Sequence, residues 1–264
     1  MNNSNIAYLI NSTPAYYYIL ELHLVLLRRY APKLKWQVFL ATEQPEHHIC
    51  KLLVEKYDVK LLVLEKENAS FLNSRKRSLE LLPENISMVL PMQEDFLLER
   101  LIDEKSIEES IEILENYESI FCIRYMPCPG PSEKNPPFSN TYNYFNSKND
   151  FYMFSFQASL WKRQECLKWY SVITDKLKSY NTTNSKKIEI DMNIAENSDG
   201  QKLYNEIFSN KFTLGYKRAH KHPNAVYMSP WPYRPTAIIK GVLQPFAKEL
   251  ATREGITIYT KTEK

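Results

Sequence analysis

Short apolar runs alternate with helix-spaced apolar positions through the first hundred residues. Asn5-Ile6-Ala7-Tyr8-Leu9-Ile10 is β-prone, and Asn11-Ser12-Thr13-Pro14 supplies a turn and a helix start. From Ala15 to Tyr30, Ile19, Leu22, Leu26 and Leu27 recur at helical spacing, and Pro32 lies just beyond. Trp36 to Thr42 reads as a second buried strand, a helix covers Glu46 to Tyr57, and Val59 to Leu64 reads as a third strand. A helix from Ser70 to Leu82 carries Arg75, Lys76 and Arg77 and stops near Pro83. Ile86 to Met92 is the fourth strand. Parallel strands need helical crossovers, so this alternation predicts an α/β fold: a mixed, mostly parallel central sheet flanked by helices.

Beyond Asp95 the signal weakens. An acidic helix is predicted over Asp103 to Tyr117 and a strand over Phe121 to Met126. Pro127 to Asp150, rich in proline, asparagine and serine, reads as a long irregular excursion. Phe151 to Gln157 has strand character, a helix is expected from Ser159 to Lys178, and another from Ala195 to Phe208. The last fifty residues read as irregular apart from a short amphipathic helix near Phe246 to Arg253. A length of 264 residues suits one domain. Residues 1–100 have an α/β layout of the nucleotide-binding type, and residues 101–264 are the more irregular half.

Composition narrows the chemistry. The 34 basic and 31 acidic residues are intermingled, so no dominant cationic field calls for a nucleic-acid partner. Five glycines, with neither a Walker loop nor GxGxxG, leave phosphate binding to side chains or a metal. Cys50, Cys122, Cys128 and Cys166 have no metal-ligand spacing and read as reduced thiols. With no signal peptide and no apolar run of membrane-spanning length, the expected location is the cytoplasm, that of the host if the chain is viral.

In an open α/β sheet, ligands settle outside the carboxyl ends of the strands. Gln93-Glu94-Asp95 follows the fourth strand directly. Two adjacent carboxylates on so short a tether suit an oxygen-preferring cation, Mn²⁺ or Mg²⁺, bridging to a diphosphate. A solvated helix start is the plainer reading of the pair alone.

The run Phe71 through Leu82 followed by Met88 to Phe96 resembles the helix, strand and acidic metal motif of GT-A glycosyltransferases. Phe154-Ser155-Phe156-Gln157-Ala158-Ser159-Leu160-Trp161-Lys162-Arg163 is similar to a strand-to-helix element of small soluble glycosyltransferases encoded by large DNA viruses of algae and protists, and Ile123 to Pro131 fits the same group. The resemblance spans about residues 5 to 210. It implies a hexosyl- or pentosyltransferase that moves a sugar from a nucleotide-diphosphate donor, UDP-linked, to a hydroxyl of a glycan acceptor, with inversion.

In that family's pattern Asp95 ligates the metal and Glu94 assists, while Gln93 stands where an aspartate is common. Asn11, Ser12 and Thr13 would edge the base and ribose, although a helix cap explains Ser12 and Thr13 equally well. Arg75 or Arg77 would face the diphosphate. Glu196 is the candidate base for the acceptor hydroxyl, with Asp191 and Glu189 as rivals, and His220 and His222 would give a late histidine to the metal. Trp231, Tyr233, Arg234 and Lys240 sit in a proline-broken segment placed to close over a ligand, whereas Trp161 reads as core. The competing classes are a nucleotidyltransferase and a noncatalytic carbohydrate- or nucleic-acid-binding module.

Overall fold

In a computed structural model, which describes residues 4–67, 69–126, 130–181, 193–217, 229–234 and 236–258, the apolar runs become a sheet of eight strands. The first half follows the expected alternation. Strand β1 (Ile6–Asn11) leads through helix α1 (Leu20–Tyr30) to β2 (Gln37–Thr42), then through α2 (His48–Tyr57) to β3 (Val59–Val63), then through α3 (Phe71–Leu81) to β4 (Met88–Gln93). Sequence reading extends α1 back to Ala15, but Tyr17–Ile19 is a 3-10 turn preceding it. Asp58 ends α2 in the left-handed region (φ 54), and the Ser70 hydroxyl caps α3 by accepting from the Asn73 amide.

The remaining elements are β5 (Leu97–Leu98), α4 (Glu104–Asn116), β6 (Ile120–Arg124), β7 (Tyr142–Tyr144), β8 (Ser159–Lys162), α5 (Arg163–Asn181), α6 (Ser198–Ile207), β9 (Phe212–Tyr216), β10 (Tyr233–Arg234), β11 (Ile238–Ile239), β12 (Val242–Leu243) and α7 (Pro245–Glu254). Across the main sheet the order is β3-β2-β1-β4-β8-β6-β9-β7. Six of these strands share one direction, and β8 and β7 run against them. The fold is therefore mixed α/β with a large, mainly parallel sheet. Alternate residues of β1 face opposite layers. Tyr8 and Ile10 pack with α1, α2, α4 and α7, whereas Ala7 and Leu9 pack with α3, α5 and α6. Burial on both faces explains why β1 reads as a continuous apolar run.

Four expectations need correction. Residues 151–157 form no strand, because side chains replace the ladder there. Gln201 Oε1 accepts from the Phe154 amide (2.9 Å), Glu196 Oε1 accepts from the Phe156 amide (2.9 Å), and Arg124 donates to the Tyr152 carbonyl (2.5 Å). The strand begins at Ser159, where a helix is predicted, and that helix starts only at Arg163. The predicted helix over 195–208 is broken at Asn197, whose Oδ1 accepts from the Asp199 and Gly200 amides and so starts α6 afresh after a helical turn at 193–196. Finally, β7 lies inside the supposed irregular excursion, β9 runs up to the start of the supposed irregular tail, and β10, β11 and β12 lie inside that tail. Thr213 and Gly215 interrupt the apolar pattern of β9, and a Cβ on Gly215 would come within 2.3 Å of the Phe145 ring.

Candidate active site

Chain order and strand order disagree at one place. From β1 the chain moves outward through β2 to β3, then returns to lay β4 on the other side of β1. Helices α1 and α2 cover one face and α3 the other, so the connections diverge between the carboxyl ends of β1 and β4. Asn11 and Gln93, the last residues of those strands, are paired in register. Ser12 and Glu94 are the first residues beyond them.

Glu94 and Asp95 occupy a tight turn closed by the Phe96 amide donating to the Gln93 carbonyl (3.2 Å). Burial pushes the Glu94 carboxyl up to about 7, and the neighbouring Asp95 adds to the shift. Its own backbone amide, Arg75 and the Ser12 hydroxyl oppose it. Asp95 is 7% exposed, and burial raises its carboxyl against the Ile238 amide, its own amide and Arg75. Ile238 N–H donates to Asp95 Oδ2 (3.2 Å), and Ala237 N–H donates to the Asp95 carbonyl (3.1 Å).

A buried histidine underlies this turn. His23 Nδ1 lies 3.0 Å from the Glu94 carbonyl, and its Nε2 lies 2.6 Å from the Tyr8 hydroxyl. Burial lowers the imidazole to about 4, so it is neutral at pH 7. A carbonyl can only accept, so Nδ1 carries the proton and Nε2 accepts from Tyr8. His23 thus anchors the Glu94 peptide from below. Its position in an apolar helix stripe gives no sequence signal beyond a lone polar residue.

Arg75 is buried on α3. Its guanidinium donates to the Phe71 carbonyl (3.1 Å), stacks 3.4 Å from the Phe71 ring centre and lies 5.9 Å from that of Phe156. It acts electrostatically on both Glu94 and Asp95. Arg77 is turned away, since two residues along a helix is about 200°. It pairs with Glu65 (3.3 Å) and donates to the Glu65 and Glu67 carbonyls. Glu196, from the other half of the chain, is linked to Arg75 through Phe156. The Phe156 amide that it accepts from belongs to the ring facing Arg75, and burial raises its carboxyl against that amide and Arg124.

Other predicted residues divide. Asn11 Nδ2 donates to the Ser74 carbonyl (3.3 Å) and Oδ1 accepts from Ser78 (3.3 Å), which ties β1 to α3. Ser12 is buried, while Thr13 is exposed and its carbonyl accepts from the Tyr16 amide in a turn (2.9 Å). Asp191, Glu189, His220 and His222 lie outside the described residues. Trp231 closes over nothing. It is fully buried and stacks with Trp36 and Tyr125, because its indole fills the core beneath β1. Tyr233 is buried as well, donating to Gln157 Oε1 (2.6 Å) and accepting from the Ala158 amide (2.9 Å), and Arg234 pairs with Glu99 (3.0 Å). Lys240 forms the tip of the β11–β12 hairpin.

Among the described residues no group of three His, Cys, Asp or Glu side chains converges. Two adjacent carboxylates nevertheless fit Mn²⁺ or Mg²⁺, because such ions are commonly held by one or two carboxylates with substrate phosphates and water completing the shell. Burial also raises both carboxyls, a cost that a divalent cation would offset. Sequence reading did not single out His23, and it quoted Arg124 and Gln157 only within the resembling segments, without a role. A buried arginine inside a strand, Arg124 at 1% exposure, is the one of these that a sequence pattern could flag.

No protein-family model and no curated protein matches the chain. Solved structures overlap it at low identity. The galactosyltransferase LgtC in complex with donor and acceptor sugar analogs is 10% identical, with 97% of this chain and 98% of that one covered and a TM-score of 0.45. S. aureus TarS is 15% identical, with 84% of this chain but 38% of that one covered and a TM-score of 0.46. The 4-diphosphocytidyl-2C-methyl-D-erythritol synthase from Anaerococcus prevotii is 13% identical, with 86% and 97% covered and a TM-score of 0.44. Likenesses this remote carry no weight for chemistry or substrate. No helix among the described residues is long and apolar enough to cross a membrane.

Proposed function

We propose that the chain is a GT-A-like, single-domain glycosyltransferase that moves a hexosyl or pentosyl group from a UDP-linked donor to a hydroxyl of a glycan acceptor, with inversion and with a divalent metal. The grouping of Glu94, Asp95 and Arg75 at the β1/β4 switch point supports this reading. The mixed sheet and the sequence segments resembling GT-A enzymes support it. The closer likeness to virus-encoded members rests on residues 123–131 and 154–163.

Asp95 would hold the ion with Glu94 assisting, and His220 or His222, outside the described residues, would be a further ligand. When bound, Mn²⁺ or Mg²⁺ neutralises charge growing on the departing nucleoside diphosphate. Ser12, with Asn11 and Thr13 beside it, borders the base and ribose, and Gln93, paired with Asn11 at the strand end, stands where the ribose or a metal-bound water would be contacted. Arg75, held flat against Phe71, presents charge-assisted donors to the diphosphate or sugar. Glu196, or Asp191 in its place, takes the proton of the acceptor hydroxyl. That oxygen bonds to the anomeric carbon as the bond from carbon to the phosphate oxygen breaks, and UDP leaves. A carboxyl raised by burial is better matched to this proton transfer near neutral pH than a solvated one.

A panel of nucleotide sugars incubated with Mn²⁺ and oligosaccharide acceptors tests this. Metal-dependent release of UDP by the wild type, reduced at least about 100-fold in Asp95→Ala, is the expected result. Equal turnover by the variant removes the metal assignment. Incorporation of a nucleoside monophosphate with release of pyrophosphate would indicate a nucleotidyltransferase instead.

A further inference from the structure

Asp95 is fixed twice to a segment more than a hundred residues away in sequence. Ala237 N–H holds its carbonyl and Ile238 N–H holds carboxylate oxygen Oδ2, at 3.1 and 3.2 Å. Those two residues lead into the β11–β12 hairpin, whose turn residues Lys240 and Gly241 both have positive φ (50 and 78). That is the signature of a two-residue type I′ turn, whose twist matches its strands. The pair flanking such a turn, Ile239 and Val242, exchanges ladder bonds. Ile238 and Leu243 form the next pair, whose amides the hairpin leaves to outside partners. The Ile238 amide is therefore available to a carboxylate without loss to the hairpin.

Upstream, the same segment is strapped along the residues that follow Asp95. Pro230 and Pro232 carbonyls accept from the Asp103 and Glu99 amides, β10 pairs with β5, and Tyr233 stacks on Phe96 at 4.7 Å. Between strap and hairpin, Thr236 adopts φ 65, an outlier for a β-branched residue. Strain of this kind persists where surrounding contacts over-determine the backbone, and it gathers at functional sites.

We infer that the β11–β12 hairpin is the positioning element of the metal carboxylate: the Ile238 amide occupies Oδ2 of Asp95, which leaves Oδ1 to take a divalent cation, so that cation affinity is set by this strand. Ile238 is a positioning residue acting through its backbone. The inference rests on the metal role proposed for Asp95 and adds the orienting donor. Such outer partners typically change metal affinity about 10–100-fold when removed.

Two variants at one position separate backbone from side chain. Ile238→Pro deletes the N–H, and Ile238→Ala keeps it while trimming the side chain. Mn²⁺ binding in the presence of UDP is read by electron paramagnetic resonance, with urea melts of each protein alongside. The expected result is at least about a 10-fold weaker Mn²⁺ affinity for the proline variant, with the alanine variant close to wild type. Equal affinities for the two variants would overturn the coupling while leaving the donor-site reading intact. A wild type that binds no Mn²⁺ with UDP overturns the donor-site reading itself. Should the proline variant not fold, amide hydrogen exchange in Asp95→Ala decides. Selective acceleration at Ile238 over Ile239 supports the coupling, and unchanged exchange at Ile238 overturns it.

Discussion

Two arginines belong to the opposite ends of α3, and they are used in opposite ways. Arg163, at the amino end of the sheet, points five hydrogen bonds at the carbonyls that finish α3 and follow it, those of Leu79, Glu80, Leu82, Pro83 and Ile86, at 2.6 to 3.5 Å. It closes a helix end whose carbonyls lack intrahelical partners. Arg75, at the carboxyl end, lies between aromatic rings and faces two carboxyls that burial has raised. One end of the sheet has its polar groups matched to each other, while the other holds carboxylates in an environment that disfavours their charge. Only the second arrangement would gain from the arrival of a cation and a diphosphate, which supports the site proposed there.

The largest expected effect that sharpens this contrast is on turnover. Glu196→Gln keeps an acceptor for the Phe156 amide but removes the base. We expect kcat to fall by about 10²–10⁴ with unfolding midpoints near wild type, and an undiminished kcat would shift the base role to Asp191 or Glu189. Next is Arg163→Ala, which strips several buried carbonyls of their donor. Urea unfolding should show a loss of about 3 kcal/mol, and UDP affinity of the folded fraction should hold. A loss below about 0.5 kcal/mol would deny Arg163 its structural role.

Smallest is Glu94→Gln. The folded carboxyl titrates at about 7 against an ordinary value of 4.5, so the folded protein retains a proton that the unfolded chain releases across that window. The contribution of Glu94 to stability is therefore greatest below pH 4.5 and is lost as pH rises to about 7. Glu94→Gln should be more stable than wild type by about 1–3 kcal/mol at pH 8, discounting for the partial exposure of the side chain, and indistinguishable at pH 4. A variant less stable than wild type at pH 8 would mean that the carboxylate is not held at a cost.

The legible parts of the molecule are those in which local pattern and tertiary setting agree. β1 and β4 are buried on both faces, so their apolar runs state their role directly, and with them the location of Glu94 and Asp95 at a strand end. Arg75 and Arg77 are equivalent in sequence, and only the rotation of α3 distinguishes them. Phe151 to Gln157 misleads because Phe154 and Phe156 are drawn inward while side chains from residues 196 and 201 satisfy its backbone. Trp231 misleads for the converse reason, since prolines around it advertise a surface segment and the indole is fully buried. The contact of Ile238 with Asp95 leaves no trace in sequence, being a backbone donor on a hairpin too short to show an alternating pattern.

Everything proposed for this site turns on Asp95 joining a cation to a diphosphate. Calorimetric titration of UDP into wild type and Asp95→Ala, each with and without Mn²⁺, addresses it directly. Mn²⁺ should strengthen UDP binding to the wild type by at least about tenfold, or 1.4 kcal/mol, and leave the variant unchanged. An equal Mn²⁺-dependent gain in both proteins would contradict it.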